Sequence, residues 1–227
     1  MPSDDAVEML KRFDAFIFDW DGTINSMRTL MKINEAVKRF LRIWNKDSVV
    51  TRSKNISRDL HGHITVEETK NRYLTAIFDV LLKFSRPKLH NDSIKLIMFL
   101  KSRHKKVAIF SNGSGSRIRN ELRMLGMTNI FDIVVSAKDI GAIKPSPEGL
   151  MLIINNFGTK PRRTVYIGDM VDDIIAADLA RVSSCGVACG FDSEHTLRSS
   201  NPNYLFKDME HIFRVMSGAK ARKKARN

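Results

Sequence analysis

Short apolar runs alternate along this chain with longer amphipathic stretches. Ala15–Phe18 and Val107–Phe110 read as buried strands, as do part of Ile130–Val135 and Val165–Ile167. Cys185–Ala188 and Tyr204–Phe206 make a fifth and a sixth, the last at an edge. Between them lie helical patterns. Ile94–Ser102 carries Ile94, Ile97 and Met98 on one face; Arg117–Leu125 stops at Gly126, Glu148–Phe157 stops at Gly158, and Asp173–Leu179 follows the fourth strand. Strand and helix alternating at these lengths predict a mostly parallel sheet covered on both faces, an α/β fold of Rossmann-like type.

One segment breaks the alternation. From about Ser26 to Arg86 no strand pattern occurs. Leu30, Ile33, Val37, Phe40, Leu41 and Trp44 recur at helical spacing, as do Tyr73, Ile77, Val80, Leu81 and Phe84. The division expected is an α/β core made of residues 1–25 and 87–227, with a helical insertion at 26–86.

Four polar signals fall just after strands, where the loops of a parallel sheet build a ligand crevice. The first is Asp19-Trp20-Asp21-Gly22-Thr23. In extended chain, residues two apart point the same way, so Asp19 and Asp21 can face one spot. Two such carboxylates call for a cation or a proton between them, and a hard dication such as magnesium suits oxygen ligands. One carboxylate can then serve as nucleophile and the other as acid and base. An ordinary acidic turn is the plain alternative.

The second signal, Ser111-Asn112-Gly113, offers a hydroxyl and backbone N–H groups to a phosphate oxygen, or is a plain loop. The third, Lys144-Pro145, offers a fixed ammonium, or a surface lysine. The fourth, Gly168-Asp169-Met170-Val171-Asp172-Asp173, crowds three carboxylates behind a buried strand. Asp169 is placed to complete a metal site, and Asp173 to be a second ligand or a hydrogen-bonding support; either Asp169 or Asp172 can also cap a helix.

In this order the motifs resemble the haloacid dehalogenase-like hydrolase superfamily over nearly the whole chain. The insertion resembles the small cap of its phosphoglycolate phosphatase-like members. That resemblance implies a magnesium-dependent phosphatase acting through an aspartyl-phosphate on Asp19. Asp21 would be the acid and base, and Ser111 and Lys144 would hold the transferring group, with Thr23 and Asn112 beside the substrate. Magnesium would be bound by the Asp19 and Asp169 carboxylates and the Asp21 main-chain carbonyl, with Asp173 in support. A carboxylate at Asp21 favours phosphate esters over the dehalogenase and phosphonate-cleaving branches. Asn25-Ser26-Met27 stands where the family commonly has an acidic residue, and Trp20 is bulkier than the usual aliphatic residue and is expected to pack between sheet and helix.

Charge refines the picture. The 227 residues carry a net charge of +13. Between Ser26 and Lys88 fourteen basic residues face six acidic ones, so a basic lid would favour a small metabolite with a second anionic group. Arg52, Lys54, Arg58, His61 and His63 form a possible specificity loop. Lys220, Arg222, Lys223, Lys224 and Arg226 make a basic tail that could be solvated or touch nucleic acid. A phosphosugar mutase on the same scaffold and a nucleic-acid-associated protein are the competing readings. The N-terminus lacks a basic-then-apolar leader and no apolar run reaches bilayer length, which leads to the expectation of a cytoplasmic monomer or homodimer without membrane contact. Cys185 and Cys189 read as reduced, small apolar residues on or beside a strand.

Overall fold

The computed structural model describes residues 3–26 and 87–218. The helical insertion expected at 26–86 falls, from residue 27 on, outside the described residues, as do the expected specificity loop and the basic tail beyond residue 218.

Six parallel strands form one sheet in the order β3-β2-β1-β4-β5-β6. They are β1 (Ala15–Phe18), β2 (Lys106–Ser111), β3 (Ile133–Ser136), β4 (Thr164–Gly168), β5 (Ser183–Val187) and β6 (Tyr204–Phe206). All six apolar runs are thus strands, with β6 at an edge as expected. β1 lies at the centre, and every one of its four residues is buried. Its side chains alternate between two cores. Phe16 and Phe18 join one with Val107, Ile109, Val165 and Ile167. Ala15 and Ile17 join the other with Ala108, Phe110 and Tyr166. Continuous apolar strands are what burial on both faces requires.

The described helices are α1 (Ser3–Arg12), α2 (Ser93–Ser102), α3 (Gly115–Met124), α4 (Ala137–Ile140), α5 (Glu148–Phe157), α6 (Val171–Leu179), α7 (Glu194–Ser199) and α8 (Met209–Ser217). Helix α5 ends as its pattern predicts, with Gly158 at φ +60 supplying the left-handed residue after its last turn. The expected face of α2 needs correction. Ser93, Leu96, Ile97 and Leu100 are its buried side, and Met98 is 59% exposed. Helices α2 and α8 pack together over the first core, and α1 packs on α8. That packing gathers Leu96, Ile97 and Leu100, and leaves Met98 on the outer side.

The strand order reverses between β1 and β4, the point at which open α/β sheets place ligands. Just beyond, the Ser26 N–H donates to Lys88 O (2.6 Å) and the His90 N–H to Ile24 O (2.9 Å). Asn25 and Leu89 form an antiparallel bridge. The chain therefore leaves and re-enters the core at one place, directly beside the loop that follows β1.

Candidate active site

Strand register brings the motifs together. Phe18 is paired with Ile109 of β2 and with Ile167 of β4, so β1, β2 and β4 end side by side. Asp19 continues the ladder, its N–H donating to Ile167 O at 2.8 Å. Ser111 closes β2, and Asp169 follows the last residue of β4.

Lys144 stands at the middle of this edge, only 4% exposed. Its Nζ donates to Asp19 Oδ1 (2.8 Å) and Asp173 Oδ1 (2.7 Å), and reaches the Tyr166 hydroxyl at 3.1 Å. Three partners match the three protons of an ammonium. The backbone of Lys144 is tied in as well, its N–H donating to Asn112 Oδ1 at 2.9 Å. Burial alone would lower this lysine, but Asp173 and Asp19 hold it well above the ordinary range, so it stays charged.

Asp169 is fully buried. Thr23 donates to its Oδ1 (2.7 Å), and the Phe191 N–H to its Oδ2 (2.7 Å). A Cβ on Gly22 would stand 2.2 Å from Asp169 Oδ2, and one on Gly190 only 1.9 Å, so two glycines leave the space this carboxylate fills. Burial pushes the Asp169 carboxyl well up, and the charges of Asp19 and Asp173 push it further. Asp19 is pushed up to about 7, first by burial and then by Asp173 and Asp21, with Lys144 opposing.

Oxygens of Asp19, Asp169 and Asp173 all lie within 4.8 Å of one another. Three buried carboxylates face one ammonium, an arrangement a hard dication would neutralise. The donor set therefore fits magnesium. Asp173 already accepts from Lys144, Tyr166 (2.9 Å) and the Met170 N–H (3.0 Å), which makes it chiefly the anchor of the lysine.

Three placements add partners that the sequence-based expectations lack. Asp21 lies beyond the strand, because β1 ends at Phe18 and the chain turns at once. Ile24 and Asn25 N–H groups donate back to Trp20 O, and Gly22 takes φ +94. Outside a strand the two-residue period no longer holds, and Asp21 is drawn to Arg117, whose Nη1 donates to Oδ1 at 3.0 Å and whose Nη2 donates to Oδ2. Thr23 is fully buried, and its hydroxyl donates to Asp169. The Asn112 carbonyl oxygen braces the Lys144 backbone. Ser111 Oγ accepts the Gly113 N–H (3.2 Å), which leaves its own proton to donate.

Arg117, Glu121, Tyr166 and Phe191 escaped the sequence reading. A tyrosine inside an otherwise apolar buried strand was one available signal, since a buried phenol needs a partner. The four-residue spacing of Arg117 and Glu121 on a helix leaving the Ser111 loop was another. Trp20 is buried against α3 as expected, its Nε1 donating to Glu121 Oε2 at 2.6 Å and its ring meeting Phe131 edge-on.

The sequence pattern of the haloacid dehalogenase-like hydrolases matches residues 16–187. The phosphoglycolate phosphatase of Haemophilus influenzae is 25% identical over 227 aligned residues, covering 92% of this chain and all of that protein. Pyrophosphatase PpaX of Oceanobacillus iheyensis is 23% identical, over 88% of this chain and 95% of its own. Among solved structures, a predicted phosphoglycolate phosphatase from Haemophilus somnus superposes with a TM-score of 0.70 at 20% identity, covering 92% of this chain and 99% of that one.

Proposed function

The chain belongs to the haloacid dehalogenase-like hydrolase family and is a phosphatase of that family, and from this premise we propose that it hydrolyses a small, phosphoglycolate-like phosphomonoester with Asp19 as nucleophile and magnesium as cofactor. The observation that carries the reading is the buried contact of Lys144 with Asp19 inside the three-carboxylate cluster.

Asp19 attacks phosphorus, and the bond from phosphorus to the leaving oxygen breaks as Asp21 delivers a proton to that oxygen. Asp21, now a carboxylate, takes a proton from the water that attacks the aspartyl-phosphate. Phosphate departs and Asp19 is regenerated. The Asp19 and Asp169 carboxylates and the Asp21 main-chain carbonyl would hold magnesium, which supplies positive charge to the phosphoryl oxygens. Lys144, fixed by Asp173, Tyr166 and Asn112, adds a second positive charge that needs no reorganisation. The Ser111 hydroxyl donates to a phosphoryl oxygen.

Residues 26–86 form a cap over residues 1–25 and 87–227 in this reading. The pairing of Ile24–Ser26 with Lys88–His90 supports it, because both ends of the insertion meet beside the catalytic turn. The basic excess of that segment suits a substrate with a second anionic group, as phosphoglycolate and pyrophosphate have. In this reading the enzyme works in the cytoplasm as a monomer or homodimer. No described helix is long and apolar enough to cross a membrane, and Cys185 and Cys189 are free.

A screen of phosphorylated metabolites with magnesium, run on wild type and Asp19→Asn, tests the proposal. Wild type releases phosphate, and the variant loses at least about a thousandfold in kcat. Equal release by both refutes Asp19 as the nucleophile.

A further inference from the structure

We infer that Arg117 is a positioning residue for Asp21, held in place by a buried chain that runs through Glu121 to Trp20; the inference rests on the proposed role of Asp21 as proton donor. Asp21 is gripped at both carboxylate oxygens by the two terminal nitrogens of Arg117. A forked guanidinium on a carboxylate fixes its plane as well as its place. Arg117 Nη1 also donates to Glu121 Oε1 at 2.9 Å, one helical turn along α3. The other oxygen of Glu121 accepts the Trp20 indole N–H at 2.6 Å. Trp20 and Asp21 are neighbours in sequence, so the chain of contacts closes on the catalytic turn from both sides.

Burial shows that this is not a surface ion pair. The Arg117 side chain is 13% exposed, that of Asp21 19% and that of Glu121 5%, and Trp20 is fully buried. Charges this enclosed are costly unless their donors and acceptors are matched, and here each carboxylate oxygen of Asp21 and Glu121 has a named donor. The packing leaves room for the pair by omission: a Cβ on Gly113 would stand 2.4 Å from Arg117 Nη2 and 2.8 Å from Asp21 Oδ2.

Because Arg117 holds both oxygens of Asp21, the carboxyl keeps its place and plane while a proton passes to the leaving oxygen. The same grip holds the anion in place to accept a proton from water in the second step. Arg117 itself need touch neither substrate nor metal.

Leaving-group dependence separates positioning of an acid from general damage. Phenolate leaves poorly without a proton, whereas p-nitrophenolate leaves well unaided. The values of kcat/KM for phenyl phosphate and p-nitrophenyl phosphate report the first irreversible step, and their ratio does not depend on how much of a preparation is active. Asp21→Asn sets the full loss of the ratio. In Arg117→Ala the ratio is expected to fall about tenfold from wild type, part of the contribution of a general acid. Glu121→Gln, which keeps the shape but removes the charge that steadies Arg117, gives a two- to threefold fall, roughly the scale of one weakened hydrogen bond. Arg117→Lys restores part of the ratio through a single contact. If Arg117→Ala does not fold, Arg117→Lys and Glu121→Gln carry the same reading. A wild-type ratio in the Arg117 variants, with Asp21→Asn lowered, overturns the inference and spares the role of Asp21. Turnover of either ester by Asp19→Asn instead overturns the nucleophile, whatever the ratio does.

Discussion

At the residue scale the site depends on what is missing from two glycines. Gly22 and Gly190 press on Asp169 from two sides, and neither leaves room for a Cβ. The Asp169 carboxylate cannot retreat without giving up a donor, because Thr23 and the Phe191 N–H hold its two oxygens. Gly190→Ala is therefore expected to displace the carboxylate and to raise the magnesium concentration for half-maximal activity about tenfold or more, as loss of support around a metal ligand does. A magnesium titration of activity checks this; an unchanged midpoint would mean that Asp169 tolerates the shift or binds no metal.

At the element scale the same closeness joins helix to strand. Gly149, in the first turn of α5, lies against the Phe110 ring, and a Cβ there would come within 2.0 Å of a ring carbon. Alanine in a helix is worth about 1 kcal/mol over glycine. Overpacking a filled core costs about 1–3 kcal/mol. The ring is fully buried within β2, immediately before Ser111, so it has little space to give way and the cost should win. Urea unfolding of Gly149→Ala should show a lower midpoint, and a higher one would mean that the ring yields freely.

For the whole molecule, the enclosed site is a source of instability as well as chemistry. Asp19 rises from an ordinary 3.8 to about 7, and Asp169 also rises well above its ordinary value, both chiefly through burial. A raised carboxyl means that the folded protein binds protons the unfolded chain has released. Stability of the metal-free protein should therefore fall as pH climbs from about 4 towards 7. Magnesium binds the ionised, folded form and should recover stability most at the upper end of that window. Thermal unfolding in EDTA and in magnesium, at pH 5 and at pH 8, measures both effects. A flat profile in EDTA would show that the cluster is already neutralised by other means.

Much of this protein was legible in one dimension. The strands showed because each is a continuous apolar run, and the helices α2, α3, α5 and α6 showed because turns of apolar residues separate those runs. The positions of Asp19, Ser111 and Asp169 followed, since a parallel sheet puts every strand's carboxyl end on one edge. Helices α1, α7 and α8 leave no such signal, because their apolar residues acquire meaning only against the sheet face and the neighbouring helices they cover. The partners of the polar groups were equally hidden. Arg117 meets Asp21 across 96 positions of sequence, Glu121 meets Trp20 across 101, and Lys144 meets Asp19 across 125. Local pattern tells which side chains are buried or turn with the chain. Which donor satisfies which buried acceptor is set by strand order and helix placement, and those exist only once the sheet has assembled.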